Sequence, residues 1–197
     1  MRATPCTPIG SVTGDGIVKI AGVVSFVGEP LRAPVSGWPS TWYDTLVVLD
    51  EHHLVEGGGY RADVFQDSAR RDFVLSDGTG TAIIRIAHSN VSVAAGMRET
   101  DGVLDEPTDA IRDLLASNGV FDPPGRFIRR YRYREQIVTA GDRVIVAGQA
   151  HWEPDPDAAG EHGYRAHGTR LVIVAPGSDA PVLLCCEIDP EPPVRVP

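Results

Sequence analysis

The sequence predicts a mainly β fold, a single barrel-like or sandwich-like domain with one short α-helix, and three observations carry that expectation. Short runs rich in Val, Ile, Tyr and Phe recur along the chain. Gly, Pro and Asp turn signals separate them at intervals of about ten residues. Only one stretch, 106–118, shows helical spacing of its apolar residues. With 197 residues, 42% hydrophobic and 23% charged, the chain has the composition of one ordinary globular domain.

Residues 1–15, rich in Thr, Pro and Gly, read as a flexible N-terminal segment, followed by a domain over 16–188 and a Pro-rich tail at 189–197. The first strand, 17–27, is β-branched, with Gly22 expected at a bulge. Breakers from Pro30 to Pro39 precede a second strand at 43–49, and Gly57-Gly58-Gly59 marks 51–60 as a flexible connection. The runs 72–75 and 81–86 flank Ser76-Asp77-Gly78-Thr79-Gly80. This is a hairpin signal, because glycine takes the positive φ that a tight turn demands. Pro107, acids in the first turn, and Ile111, Leu114 and Leu115 ahead of Gly119 describe the helix, expected to cover one end of the barrel. Strands follow at 127–138, 143–150, 170–174 and 182–187, and the tail from Pro190 reads as extended.

A net charge of -9 and a pI near 5.0 argue against a general nucleic-acid coat, which needs a cationic surface. No apolar run approaches the roughly 20 residues of a membrane helix, and the first residues lack a signal-peptide core. A cytoplasmic location is expected, with any membrane association supplied by a partner. Three cysteines, Cys6 and the pair Cys185-Cys186, lack zinc-site spacing. His52-His53 beside Glu51, and His151, His162 and His167 around Asp155, Asp157 and Glu161, are irregularly spaced, so neither a metal nor another cofactor is expected. There is no phosphate-binding loop with its Lys, no Gly-x-Ser-x-Gly elbow and no His-Glu-x-x-His pair. Gly57-Gly58-Gly59 lacks the following helix of a dinucleotide cradle. No catalytic residue is assigned, and the expectation is a protein that is not an enzyme.

Two surface constellations remain. In 126–134, alternation on a strand places Arg126, Arg130, Arg132 and Arg134 on one side and Phe127, Arg129, Tyr131 and Tyr133 on the other. The arginines form either an anion-binding stripe for single-stranded nucleic acid or lipid head groups, with the tyrosines as stacking platforms, or a solvated face paired with the acidic segment 101–113. The second constellation is Trp38-Pro39-Ser40-Thr41-Trp42-Tyr43. Exposed, Trp38, Trp42 and Tyr43 form a partner-binding hot spot; buried, they cap a barrel end. Trp38 lies in the most turn-like part.

Several segments resemble one family. Gly22-Val23-Val24, Leu31 with Ala33-Pro34-Val35-Ser36-Gly37, and Tyr43 are similar to the first half of the GIDE-type, or beside-a-membrane, domain of mitochondrial E3 ubiquitin ligases and bacterial proteins. The segment 73–80 resembles its hairpin, 135–138 with 141–150 its signature strand pair, and 181–184 its late apolar strand. The ligases add two membrane helices and a RING, which this chain lacks, and their activity resides in the RING. The resemblance therefore implies a fold and a recognition role: a non-catalytic module that binds a protein or peptide partner, of bacterial type by its Ala, Asp, Arg and Val content.

Overall fold

The computed structural model describes residues 5–53, 59–93, 97–104, 108–117, 119, 127–156, 168–177 and 180–186. In chain order the strands are β1 (Gly16–Phe26), β2 (Leu31–Arg32), β3 (Pro39–Ser40), β4 (Trp42–His53), β5 (Gly59–Arg70), β6 (Phe73–Ser76), β7 (Thr81–Ile84), β8 (Val91–Val93) and β9 (Arg98–Leu104). The helix α1 (Asp109–Ser117) follows, and then β10 (Phe127–Val138), β11 (Arg143–Pro154), β12 (Thr169–Val174) and β13 (Val182–Cys186). Among the described residues the chain is mainly β with one short α-helix, as its sequence predicts, besides a single 3-10 turn at Ile9–Ser11.

Five strands close a barrel in the order β1-β6-β7-β12-β11, with β11 returning to β1 through antiparallel pairs from Gly16↔Ala150 to Val23↔Arg143. β7 and β12 are the one parallel pair of the ring. Numbered along the chain, the ring runs 1-2-3-5-4, the Greek-key order of an OB-type barrel. β13 continues along β11 where β12 stops, and β8 runs parallel to β13 as β7 does to β12. The two parallel strands are thus interrupted at the same level, by 85–90 and by 175–181.

Alternation fills the barrel. Ile20, Val24, Leu75, Ile84, Val144, Val146, Leu171 and Ile173 point inward and are buried. Each such side chain contributes about 1.5–3 kcal/mol by leaving water. Gly22, expected at a bulge, instead lies in unbroken register where β1 changes partner from β11 to β6. A Cβ there would stand 2.6 Å from the Ser76 carbonyl oxygen, so the glycine permits a close crossing of backbones.

The fold is expected to start at Gly16, yet Ile9 and Val12 belong to the barrel core. The Asp77 carboxylate explains the difference: its Oδ2 accepts the Ile9 N–H at 2.8 Å, while Oδ1 accepts from the Thr79 N–H, the Thr79 hydroxyl and the Gly80 N–H. One side chain shapes the β6–β7 turn, where Gly78 has φ +83°, and binds the N-terminal segment to it.

A second, four-stranded antiparallel sheet, β5-β4-β10-β9, is inserted between barrel strands. The stretch 51–60, read as a connection, includes the end of β4 and the start of β5, which pair across a register shift at Val47/Val48. α1 begins at Asp109, capped by Thr108, whose hydroxyl accepts the Ile111 N–H at 3.3 Å. Its Ile111 and Leu115 pack on Val47, Phe65 and Tyr131. The helix therefore covers this sheet and not the barrel end that was expected, because the buried face of β10 supplies the apolar partners.

Candidate functional site

On β10, Tyr131, Glu135 and Ile137 are buried and Tyr133 is half-buried, all on one face. α1 covers the tyrosine end of this face, and the loop after β2 covers the other, with Ala33 packed on Tyr43 and Ile137. Glu135 fixes that loop. Its side chain is fully enclosed, with Oε2 accepting the Val35 N–H at 2.8 Å and the Thr45 hydroxyl at 3.1 Å, and Oε1 accepting the Ser36 N–H at 3.0 Å. A buried carboxylate is tolerated only with donors of this kind.

The loop turns at Gly37, whose φ is +71°. It is closed by Gly37 N–H to Ala33 O at 2.9 Å and Ala33 N–H to Trp38 O at 3.0 Å. Arg32 Nη1 donates to Gly37 O at 3.3 Å. Trp38 emerges from this clamp 37% exposed. The Arg98 guanidinium stands 5.6 Å from its ring centroid, within cation–π range. Asp142 orients that guanidinium: Oδ1 accepts from Arg98 Nη2 at 3.1 Å, and Oδ2 accepts the Thr139 N–H at 2.9 Å.

The aromatic cluster splits between surface and core. Trp42 is buried in the barrel core. Tyr43 is buried on the opposite face of β4, and its hydroxyl donates to Asp67 Oδ2 at 2.7 Å. Burial, the Asp67 hydrogen bond and charge, and the charge of Glu135 together push the Tyr43 hydroxyl above the ordinary phenol range. Of the three predicted partner-binding residues, only Trp38 is at the surface.

The arginine stripe is likewise divided. Arg126 lies outside the described residues, and Arg130 stands opposite Asp50 in register. Arg132 and Arg134 are exposed on the outer face of β10, where Arg134 stands opposite Asp101 of β9 and Leu46 of β4. The neighbouring acid belongs to the 101–113 segment foreseen as the arginines' partner. Tyr131 and Tyr133 do not offer stacking platforms, because Tyr131 is 3% exposed in the helix–sheet core and Tyr133 packs against the same cluster. A Cβ at Gly102 would stand 2.7 Å from the Tyr133 ring, so the tyrosine lies across the glycine.

Among the described residues no three His, Cys, Asp or Glu side chains converge as metal ligands; His162, His167, Asp157 and Glu161 fall outside them. Among the described residues, too, no helix is long and apolar enough to cross a membrane. Glu153 sits between Arg85 Nη2 at 2.6 Å and Arg170 Nε at 2.8 Å, tying β11 to β12 and the end of β7. Partial burial raises its carboxyl, but bonds and charge from Arg170 and Arg85 outweigh that and hold it below the usual range.

Fold and site together define an OB-type β-barrel protein with an inserted, helix-covered sheet and a clamped, tryptophan-bearing loop. No family model matches the chain, and neither a curated protein nor a solved structure matches it. Reading the residues in sequence did not single out Glu135 or Arg98. Glu135 had a signal, since it shares the strand phase of Tyr131, Tyr133 and Ile137; Arg98 had none.

Proposed function

We propose that this chain is a non-catalytic recognition module of GIDE-like type that docks a protein or peptide partner through Trp38. The observation that carries the reading is an exposed indole on a loop immobilised by a buried carboxylate. Ordering a loop on binding costs free energy, and here that cost is met in folding, so a contact to the ring is not offset by it. Two segments that carry the resemblance, 33–37 and 135–138, meet at this point through Glu135, Val35 and Ser36. The loop also belongs to the connection between barrel strands one and two, and in OB-folds that connection lines the binding face. That support is an analogy of position. The best-held carboxylates, Glu135, Asp77 and Glu153, are each engaged by structural donors.

Affinity capture from host lysate at high salt, followed by mass spectrometry, tests the reading. The wild-type chain is expected to retain a specific protein that Trp38→Ala loses and Arg132→Ala/Arg134→Ala keeps, with both variants folded by circular dichroism. Capture that survives Trp38→Ala removes the proposal. Capture that fails at high salt and depends on Arg132 and Arg134 points to the anion-binding alternative instead.

A further inference from the structure

Two guanidinium groups reach the Trp38 loop from different strands, and each is held there by a single nitrogen. Arg32, on β2 opposite Pro39 of β3, donates from Nη1 to the carbonyl oxygen of Gly37, the residue before Trp38. Arg98, the first residue of β9, stands opposite Ile137 and places its guanidinium over the Trp38 ring, 5.6 Å from the centroid. Its Nη2 donates to Asp142 Oδ1 at 3.1 Å, while Asp142 Oδ2 accepts the Thr139 N–H. The carboxylate therefore grips Arg98 at one point, and not through the parallel two-point fork that guanidinium and carboxylate favour.

Donors remain for a ligand. Among the described residues no further hydrogen bond reaches either guanidinium, so Nε and Nη1 of Arg98, and Nε and Nη2 of Arg32, keep their N–H groups. The Arg98 side chain is 46% exposed and that of Asp142 12%, so the acid lies beneath and the cation faces outward. Arg32, also exposed, is bonded only to a neutral carbonyl. Glu99, next to Arg98 in the chain, points to the other face of β9 and accepts from Gln136 Nε2 at 2.6 Å. Two cations thus stand against the one acid Asp142, a local excess of positive charge on a chain of net charge -9. Stacking on the indole and the bond to Asp142 already fix Arg98, so its ordering adds little cost to binding.

We propose that Arg32 and Arg98 bind a carboxylate of the docked partner, so that the site takes an acidic peptide: an extended segment with Asp or Glu within about two positions of the residue that packs on the indole. The spacing follows from the 5.6 Å between the Arg98 guanidinium and the ring, set against a rise of about 3.3 Å per residue in an extended chain. A carboxylate beside an apolar contact needs only this local excess of charge, whereas the chain's net charge of -9 repels the continuous phosphates of a nucleic acid. The inference rests on the reading of Trp38 as the docking residue, and it adds Arg32 and Arg98 as the residues that set specificity.

The test is selection by the full chain from an immobilised library of random, end-blocked hexapeptides. Wild type is expected to enrich sequences with Asp or Glu close to an apolar residue. Arg98→Gln and Arg32→Gln, each folded by circular dichroism, should lose the acid preference and bind the selected peptides about tenfold more weakly, with Arg98→Lys in between. Changing Asp to Asn, or Glu to Gln, in a selected peptide should cost wild type the same factor and cost Arg98→Gln little more. Selection without acid preference, no selection above the bare support, or an acid preference that survives both arginine variants overturns the proposal. A single-stranded oligonucleotide that displaces the peptides and needs the same arginines also overturns it, in favour of a phosphate ligand. Trp38→Ala separates this inference from the reading beneath it. If that variant keeps both partner capture and the arginine-dependent acid preference, the docking reading fails alone. If it abolishes capture and peptide selection while the sequences selected by wild type are not acidic, the acidic-ligand inference fails alone.

Discussion

The Glu135 carboxylate accepts the Val35 N–H at 2.8 Å across 100 positions of sequence. A single buried side chain thereby joins a loop between two barrel strands to the centre of a separate sheet. Neither the loop nor β10 makes this connection through backbone pairing. Glu135 anchors the loop that carries Trp38 at the two residues, Val35 and Ser36, that precede Gly37.

Glu135→Ala removes the acceptor shared by the Val35 and Ser36 N–H groups and the Thr45 hydroxyl. Leaving such donors unpaired costs about 2–4 kcal/mol in all. Urea denaturation is expected to show that loss, with a smaller one for Glu135→Gln, which keeps one acceptor oxygen. Wild-type stability in Glu135→Ala would show that the loop is held by other contacts.

Asp77 gives a pH dependence with a defined sign. Partial burial raises its carboxyl, but the Thr79 hydroxyl and the N–H groups of Ile9, Thr79 and Gly80 outweigh that and bring it down to about 2. An unfolded aspartate titrates near 3.9, so the folded state binds its proton less readily. The contribution is present above about pH 4 and is lost as pH falls through about 2. Allowing for solvent screening, it is on the order of 1 kcal/mol. Denaturation midpoints of wild type and Asp77→Asn should differ near neutrality and converge in acid, with faster hydrogen exchange at Ile9 in the variant.

Two barrel glycines admit no side chain. A Cβ at Gly148 would meet Val174 O and Ile173 Cγ2 at 2.7 Å, and one at Gly22 would meet Ser76 O at 2.6 Å. Gly148→Ala and Gly22→Ala should each destabilise by about 1–3 kcal/mol, the range for overpacked cores. Gly14→Ala, which meets nothing within 4 Å, is the control and should stay within about 0.5 kcal/mol. Thermal melts of the three variants check the ranking.

What was legible in the sequence follows a physical rule. β1, the β6–β7 hairpin, β11 and β12 were readable because they bury one or both faces, which writes Val and Ile in alternation around Gly and Asp turns. β9, with the sequence RETDGVL, was not, since it is the edge of a sheet and needs no apolar run. The barrel closure itself was hidden, because pairing between Gly16 and Ala150 leaves no local mark. At the site, Trp38 was readable as the exposed member of its cluster from its turn-like setting. The burial of Trp42 and Tyr43 follows from strand pairing with Val138 and Ile137, and the role of Arg98 from a contact across the fold.

The same closure constrains how the protein is made. β1 finds the partner of its first half, β11, only when residues 143–150 exist, and β7 finds its parallel one only when β12 does. A growing chain on the ribosome therefore carries β1, β6 and β7 as a small sheet with two open flanks, with β4 and β5 already made between β1 and β6, while β9, α1 and β10 are still being synthesised ahead of β11. Such long-range pairing makes folding slow and leaves strands open to association with other chains. Translation that stops before Thr169 would yield a product prone to aggregate, so the last strands govern recovery of soluble protein more than their modest length suggests.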